Sequence, residues 1–181
     1  APPGQLAPIR RYKWLSPGWF STLGTPIVAG RDFTWSDMQT RVPIVIVSES
    51  LAREYWDSPQ DAIGKRVRNV EGRPWREIVG VAADVREDGV DQDAPPIAYW
   101  PMLVADVWED GVDVQRTMAY TLRLEREPTQ ALTDAVRRAV WAVNPNLPLA
   151  DVTTLEQLFD RSRARTSFTL VMLSIAAAVA L

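Results

Sequence analysis

The sequence predicts an α+β domain, and three stretches carry that expectation. Ile44–Val47 is a continuous apolar run, as a strand buried on both faces requires. Met118, Tyr120, Leu122 and Leu124 alternate with Thr121, Arg123 and Glu125, the period of a strand with one wet face. Leu132, Ala135, Val136, Ala139, Val140 and Val143 recur at the spacing of one helix face. The 181 residues suffice for one sizeable domain or two small ones sharing a core. With 46% hydrophobic and 24% charged residues, the chain has the composition of an ordered protein rather than a disordered one.

The elements follow in order. "APPGQLAP" is an extended lead-in because of its prolines and glycine, and "RRYKWL" is a short strand. "SPGWFSTLG" is a punctuated helical turn. Ser16 stands at its N-cap, Pro17 at its first position, Phe20 and Leu23 one turn apart, and Gly24 at its stop. "TPIVAGRDF" is a strand. After Ile44–Val47, Ser48 caps a helix with Leu51, Ala52 and Tyr55 on one face. "IGKRVR" and "PWREIVGVAADV" are short strands parted by a turn at Glu71 and Gly72. The prolines of "PPIAYWPM" make it an extended edge strand. "MAYTLRLERE" is the alternating strand, and "NPNLP" ends the amphipathic helix that follows it. "LADV" is a short strand, and Thr153 with Glu156 stands in capping-box register for a last helix.

Two absences narrow the chemistry. Without Cys there is no disulfide framework, thiolate nucleophile or Cys-based zinc site. Without His the usual general base near neutral pH is gone, and with it the commonest metal ligand. The net charge of −3, with no long basic stripe, argues against nucleic acid as a partner. Eight tryptophans invite comparison with sugar platforms, but spacing singles out no carboxylate pair, and no Gly-x-Ser-x-Gly or Ser-x-x-Lys motif occurs. Gly64-Lys65 lacks the upstream glycine and the following Ser or Thr of a phosphate-binding loop. No catalytic, cofactor-binding or metal-binding residue is assigned.

One octapeptide recurs. "DVREDGVD" (Asp84–Asp91) and "DVWEDGVD" (Asp106–Asp113) agree at seven of eight positions, which reads as two similar acidic turns at the same end of the domain. Asp84, Asp88 and Gly89 stand at calcium-loop offsets. Arg86 at a ligand position, and Pro95 where a bidentate Glu belongs, count against calcium.

The C-terminal stretch points to a membrane. From Thr154 no Gly or Pro interrupts the pattern to Leu181, and Thr166–Leu181 carries no charge. A polar stalk with Arg161, Arg163 and Arg165 leading into an all-round apolar helix reads as a membrane entry, cut about four residues short of the roughly 20 that span a bilayer. Residues 161–181 are therefore expected to be a stalk and a truncated transmembrane helix, and the chain to be excised from something longer. By the positive-inside rule alone the three arginines favour a cytoplasmic domain.

"LSPGWFSTLGTPIVAGRDFTWSD", "VPIVIVSESLAREYW", "AIGKRVR", "WREIVGVAADVREDGVDQDAPPIAYWPM" and the stretch from "AVRRAVWAVNPNLPLADV" onward resemble, in that order, the MacB-like periplasmic core domain of FtsX/MacB-type ABC transporter permeases. The resemblance runs from about Arg11 and is nearest to the second half of a duplicated orphan permease. It implies a porter-like α/β subdomain over residues 9–60 plus 116–160, with an inserted β-rich, sabre-like subdomain over 61–115. It also implies a place on the extracytoplasmic side of the inner membrane, against the arginine argument. The partners implied are the membrane, a separate ATP-binding cassette ATPase, and a second permease half or a homodimeric copy. The role implied is non-catalytic and needs no cofactor: relaying ATP-driven conformational change in export, efflux or mechanotransmission. The alternative is the extracytoplasmic sensor domain of a membrane receptor, likewise a domain ahead of a membrane helix.

Overall fold

The computed structural model describes residues 10–89, 92–112, 115, 117–150 and 152–160. They fall into two compact units, Ala1–Arg123 and Leu124–Leu181.

The first unit is built on one mixed sheet. Its elements are β1 (Arg11–Leu15), α1 (Trp19–Leu23), β2 (Ile27–Gly30), α2 (Trp35–Thr40), β3 (Ile44–Ser48), α3 (Glu49–Arg53), α4 (Pro59–Ala62), β4 (Arg66–Val67), β5 (Arg76–Ala82) and β6 (Ile97–Pro101). The strand order is β1-β6-β3-β5-β2, and β4 pairs with β5 beside β2. β1 runs parallel to β6 and β3 parallel to β5, whereas β3–β6, β2–β5 and β4–β5 are antiparallel. The α+β expectation therefore holds as a mixed sheet with short helices. Residues 61–115 supply β4, β5 and β6, so this sheet runs through the expected subdomain boundary.

β3 explains the two-layered core. All five of its residues are buried. Period-two alternation sends Val45 and Val47 to one face, where they join Leu51, Ala52, Ala62, Ile78, Val81 and Trp100. Ile44 and Ile46 join Leu15, Phe20, Phe33, Ile97 and Tyr99 on the other. α3 and α4 cover the first face, and α1 covers the second.

Ser48 joins strand to helix. Its hydroxyl accepts the amides of Leu51 at 3.2 Å and Ile97 at 2.9 Å, so one buried oxygen caps α3 and ties it to β6. Gly30 and Gly80 let β2 and β5 approach closely. A Cβ on Gly30, at φ +71°, would lie 2.2 Å from the Val79 carbonyl oxygen, and one on Gly80 would lie 2.3 Å from that of Arg31.

Several expectations are corrected. α1 starts at Trp19 rather than Pro17, because Gly18 precedes it in a left-handed conformation at φ 83°. β6 lies inside the sheet, not at its edge. Pro95 and Pro96 precede it and Pro101 closes it, so its interior amides remain free to pair. Residues 118–125 form no strand; Met118, Tyr120, Leu122 and Leu124 are exposed, because no other strand among the described residues offers them a ladder. No strand forms over the described part of "LADV" either. Tyr55 is exposed rather than packed with Leu51 and Ala52, since α3 ends at Arg53.

The described parts of the two acidic octapeptides, residues 84–89 and 106–112, lie at opposite ends of the sheet. They follow β5 and β6, which run in opposite directions because β3 is parallel to one and antiparallel to the other. The second copy folds on itself. Asp106, at φ 56°, accepts from Gly111 N at 2.7 Å, beside an Ala105–Val112 bridge.

In the second unit α5 (Gln130–Val143) is capped by Thr129, which accepts from Leu132 N at 3.2 Å. No residue of α5 is buried. Residues 155–160 are helical, but the capping box is Thr154 with Gln157, one residue later than the Thr153–Glu156 pair expected. Thr154 Oγ1 accepts from Gln157 N at 3.1 Å, and Gln157 Oε1 from Thr154 N at 3.3 Å. Among the described residues no helix is long and apolar enough to cross a membrane; the stalk and membrane entry expected over 161–181 lie outside them.

Candidate functional site

The first unit presents its most distinctive surface along β1, which terminates the sheet. Alternation along this strand places Tyr12 and Trp14 on one face and Arg11, Lys13 and Leu15 on the other. Tyr12 meets Trp14 edge-on, with ring centroids 4.9 Å apart, and Trp108 lies 5.2 Å from Tyr12. Tyr12 and Trp108 are exposed, and the indole N–H of Trp14 is buried without an acceptor among the described residues.

The opposite side of β1 is charged and paired. Arg11 bonds Asp88 at 2.8 Å, and Lys13 pairs with Glu87 while its ammonium stands 5.9 Å from the Trp19 ring. The bond to Asp88 raises the Arg11 pKa further, against some desolvation. Beneath them, burial pushes the Tyr99 phenol well above its ordinary range, with Glu87 and then Asp84 adding to the effect. The Tyr99 hydroxyl has no partner among the described residues.

At the other edge of the sheet, Asp37 fixes the turn into α2. It takes Arg31 Nη1 at 2.6 Å and Nη2 at 3.0 Å, the amide of Thr34 at 2.8 Å and the Thr34 hydroxyl at 2.8 Å. The Arg31 bond, aided by Thr34 and opposed by desolvation, lowers the Asp37 pKa to about 2. Arg76 is fully buried. Its guanidinium donates to the carbonyls of Pro74 at 3.0 Å and Ala105 at 2.6 Å, and lies 5.3 Å from the Trp100 ring. These contacts anchor the loop after β6 to the sheet.

The calcium-loop residues do not converge. Asp84 accepts the amide of Ser50 at 2.7 Å and pairs with Arg53, while Asp88 faces Arg11. Among the described residues no three metal-ligating side chains gather. The tryptophans divide between roles: Trp100 is in the core, Trp14 and Trp56 pack partly against it, and Trp35, Trp75, Trp108 and Trp141 are exposed. Gly64 and Lys65 form the turn into β4, bonded to the carbonyls of Ile78 at 2.9 Å and Ala62 at 3.1 Å. Sequence reasoning missed the Arg31–Asp37 pair. Its signal was Thr34-x-x-Asp37, a capping box with Asp in place of Glu.

The model of the MacB-like periplasmic core domain family matches residues 9–143. No curated protein matches the chain. Among solved structures, the periplasmic region of MacB from Actinobacillus actinomycetemcomitans is 15% identical, covering 73% of this chain and 56% of that one, with a TM-score of 0.47. A domain from Porphyromonas gingivalis, described as part of a permease protein, is 19% identical over 78% of this chain and 56% of its own, with a TM-score of 0.42. The chain thus spans little more than half the length of these structures.

Proposed function

This chain belongs to the MacB-like periplasmic core domain family, and on that premise we propose that it is the extracytoplasmic part of an ABC transporter permease that relays ATP-driven conformational change without catalysing a reaction itself. The family match over residues 9–143 is the observation that carries the reading. Further proposals go with it: an inner-membrane location, a separate ATPase subunit, and pairing with a second permease half or a second copy. The likeness to the second half of a duplicated orphan permease belongs here too. So does the porter-like and inserted division over 9–60 plus 116–160 and 61–115. Because β4, β5 and β6 share the sheet with β1 and β3, any inserted part that stands apart must consist of segments outside those three strands.

A relay needs a stiff connection between membrane and domain. The sequence is compatible with one, since it carries no Gly or Pro from Thr154 to Leu181. Two glycines inserted after Ser162 make that connection pliant. In the assembled permease–ATPase complex, a probe at exposed Asp110 should report an ATP-dependent change that the insertion abolishes, with the domain still folded and ATP still bound. An undiminished response would contradict the relay.

A further inference from the structure

We propose that residues 118–122 are a strap that closes as an additional antiparallel strand on the outer edge of β1. Two incomplete structures motivate this. One is the edge itself. Arg11 N donates to Pro96 O at 3.3 Å, and Leu15 O accepts from Met102 N at 3.1 Å, so the odd-numbered residues of β1 turn their backbone groups inward to β6. By the alternation of a strand, Tyr12 and Trp14 turn theirs outward, where no strand among the described residues meets them. The other is the strap. Met118, Tyr120 and Leu122, which alternate along the sequence with Ala119 and Thr121, are 41%, 80% and 59% exposed, as suits a strand with one face still to bury.

The two are already neighbours. Ala119, Tyr120 and Thr121 line a small cleft with Ser16, Pro17, Gly18, Trp19 and Thr22, immediately beyond the end of β1. Arg123 holds the segment there by donating to the Ser21 carbonyl at 3.0 Å. The proposed register is antiparallel, with Tyr120 opposite Trp14 and Leu122 opposite Tyr12, which puts the apolar side of the strap on the face that Tyr12 and Trp14 share. Both become hydrogen-bonded pairs, because the outward groups belong to Tyr12 and Trp14. Aromatic and aliphatic side chains then stack on the face that already holds Trp108, the kind of cross-strand pairing that stabilises sheets. Lys13 falls opposite Thr121 as a non-hydrogen-bonded pair, the arrangement that brings side chains nearest. Closure requires that Arg123 release the Ser21 carbonyl and that residues 119–121 leave the cleft beyond β1.

The absence of Cys from these residues makes the test direct. In the full-length protein, carried in a cysteine-free background, Lys13→Cys with Thr121→Cys should form an intramolecular disulfide under mild oxidation. It should form at least tenfold faster than the off-register pair Lys13→Cys with Ala119→Cys. Equal rates would overturn the proposal. A disulfide-linked dimer as the main product would overturn it too, by showing that a second copy covers the edge. Amide exchange gives an independent reading. Tyr120→Pro removes a donor that the closed strap needs and the open one does not. It should speed exchange at Tyr12 and Trp14 tenfold or more; unchanged exchange would overturn the proposal.

Discussion

The Ser48 hydroxyl lies 2.9 Å from the amide of Ile97, 49 residues further along the chain, and the same oxygen caps α3 through Leu51. A single buried atom thus sets both where β3 ends and how β6 sits beside it. Ser48→Ala removes a cap and strands a buried amide. It should cost about 2–3 kcal/mol in urea unfolding. A loss below about 0.5 kcal/mol would show that Ile97 finds another acceptor.

Asp37 links stability to acid. Its folded pKa of about 2 lies below that of an unfolded carboxyl, so its contribution is full above about pH 4 and disappears as pH falls through about 2. Arg31 is about half exposed, so solvent reduces the gain to about 1–2 kcal/mol. Asp37→Asn should lower stability at pH 7 by that amount and flatten the stability profile between pH 4 and 2. An unchanged profile would remove Asp37 from the account.

Gly30 and Gly72 both have positive φ, but only Gly30 faces backbone at contact distance. Gly30→Ala must shift β2 against β5 and should cost more than about 2 kcal/mol. Gly72→Ala meets open space and should cost about 1 kcal/mol from conformation alone. Equal losses in thermal unfolding would show that the close approach carries no weight.

Tyr99 separates packing from hydrogen bonding. Its ring meets Phe20 edge-on at 5.1 Å, while its hydroxyl is buried without a partner among the described residues. Tyr99→Phe should therefore stay within about 0.5 kcal/mol of the parent or stabilise it, whereas Tyr99→Ala should cost about 3–5 kcal/mol. A costly Tyr99→Phe would reveal a bond to the hydroxyl.

The strands that pack on both faces were legible because burial leaves continuous apolar runs, as at Ile44–Val47 and in "EIVGVA". What pairs with what was not. β6 looked like an edge because proline is a local signal, yet its place between β1 and β3 depends on residues more than 50 positions away. The segment 118–125 shows the reverse: alternation marks a strand, but a ladder needs a partner that periodicity cannot name. Short helices such as α2 and α4 went unread, because they carry too few turns for a hydrophobic period and leave no signal beyond the caps Thr34 and Ser58. The β1 surface went unread because Trp108 reaches Tyr12 across 96 residues, a distance that no motif spans.

The placement of the domain outside the cytoplasm is the claim on which the transport reading stands. Asp110, whose side chain is 99% exposed, offers a site for a single cysteine in a stretch that has none. In intact spheroplasts carrying the full-length protein in a cysteine-free background, Asp110→Cys should react with a membrane-impermeant maleimide as fast as it does after lysis. Labelling only after lysis would put the domain in the cytoplasm and contradict the account.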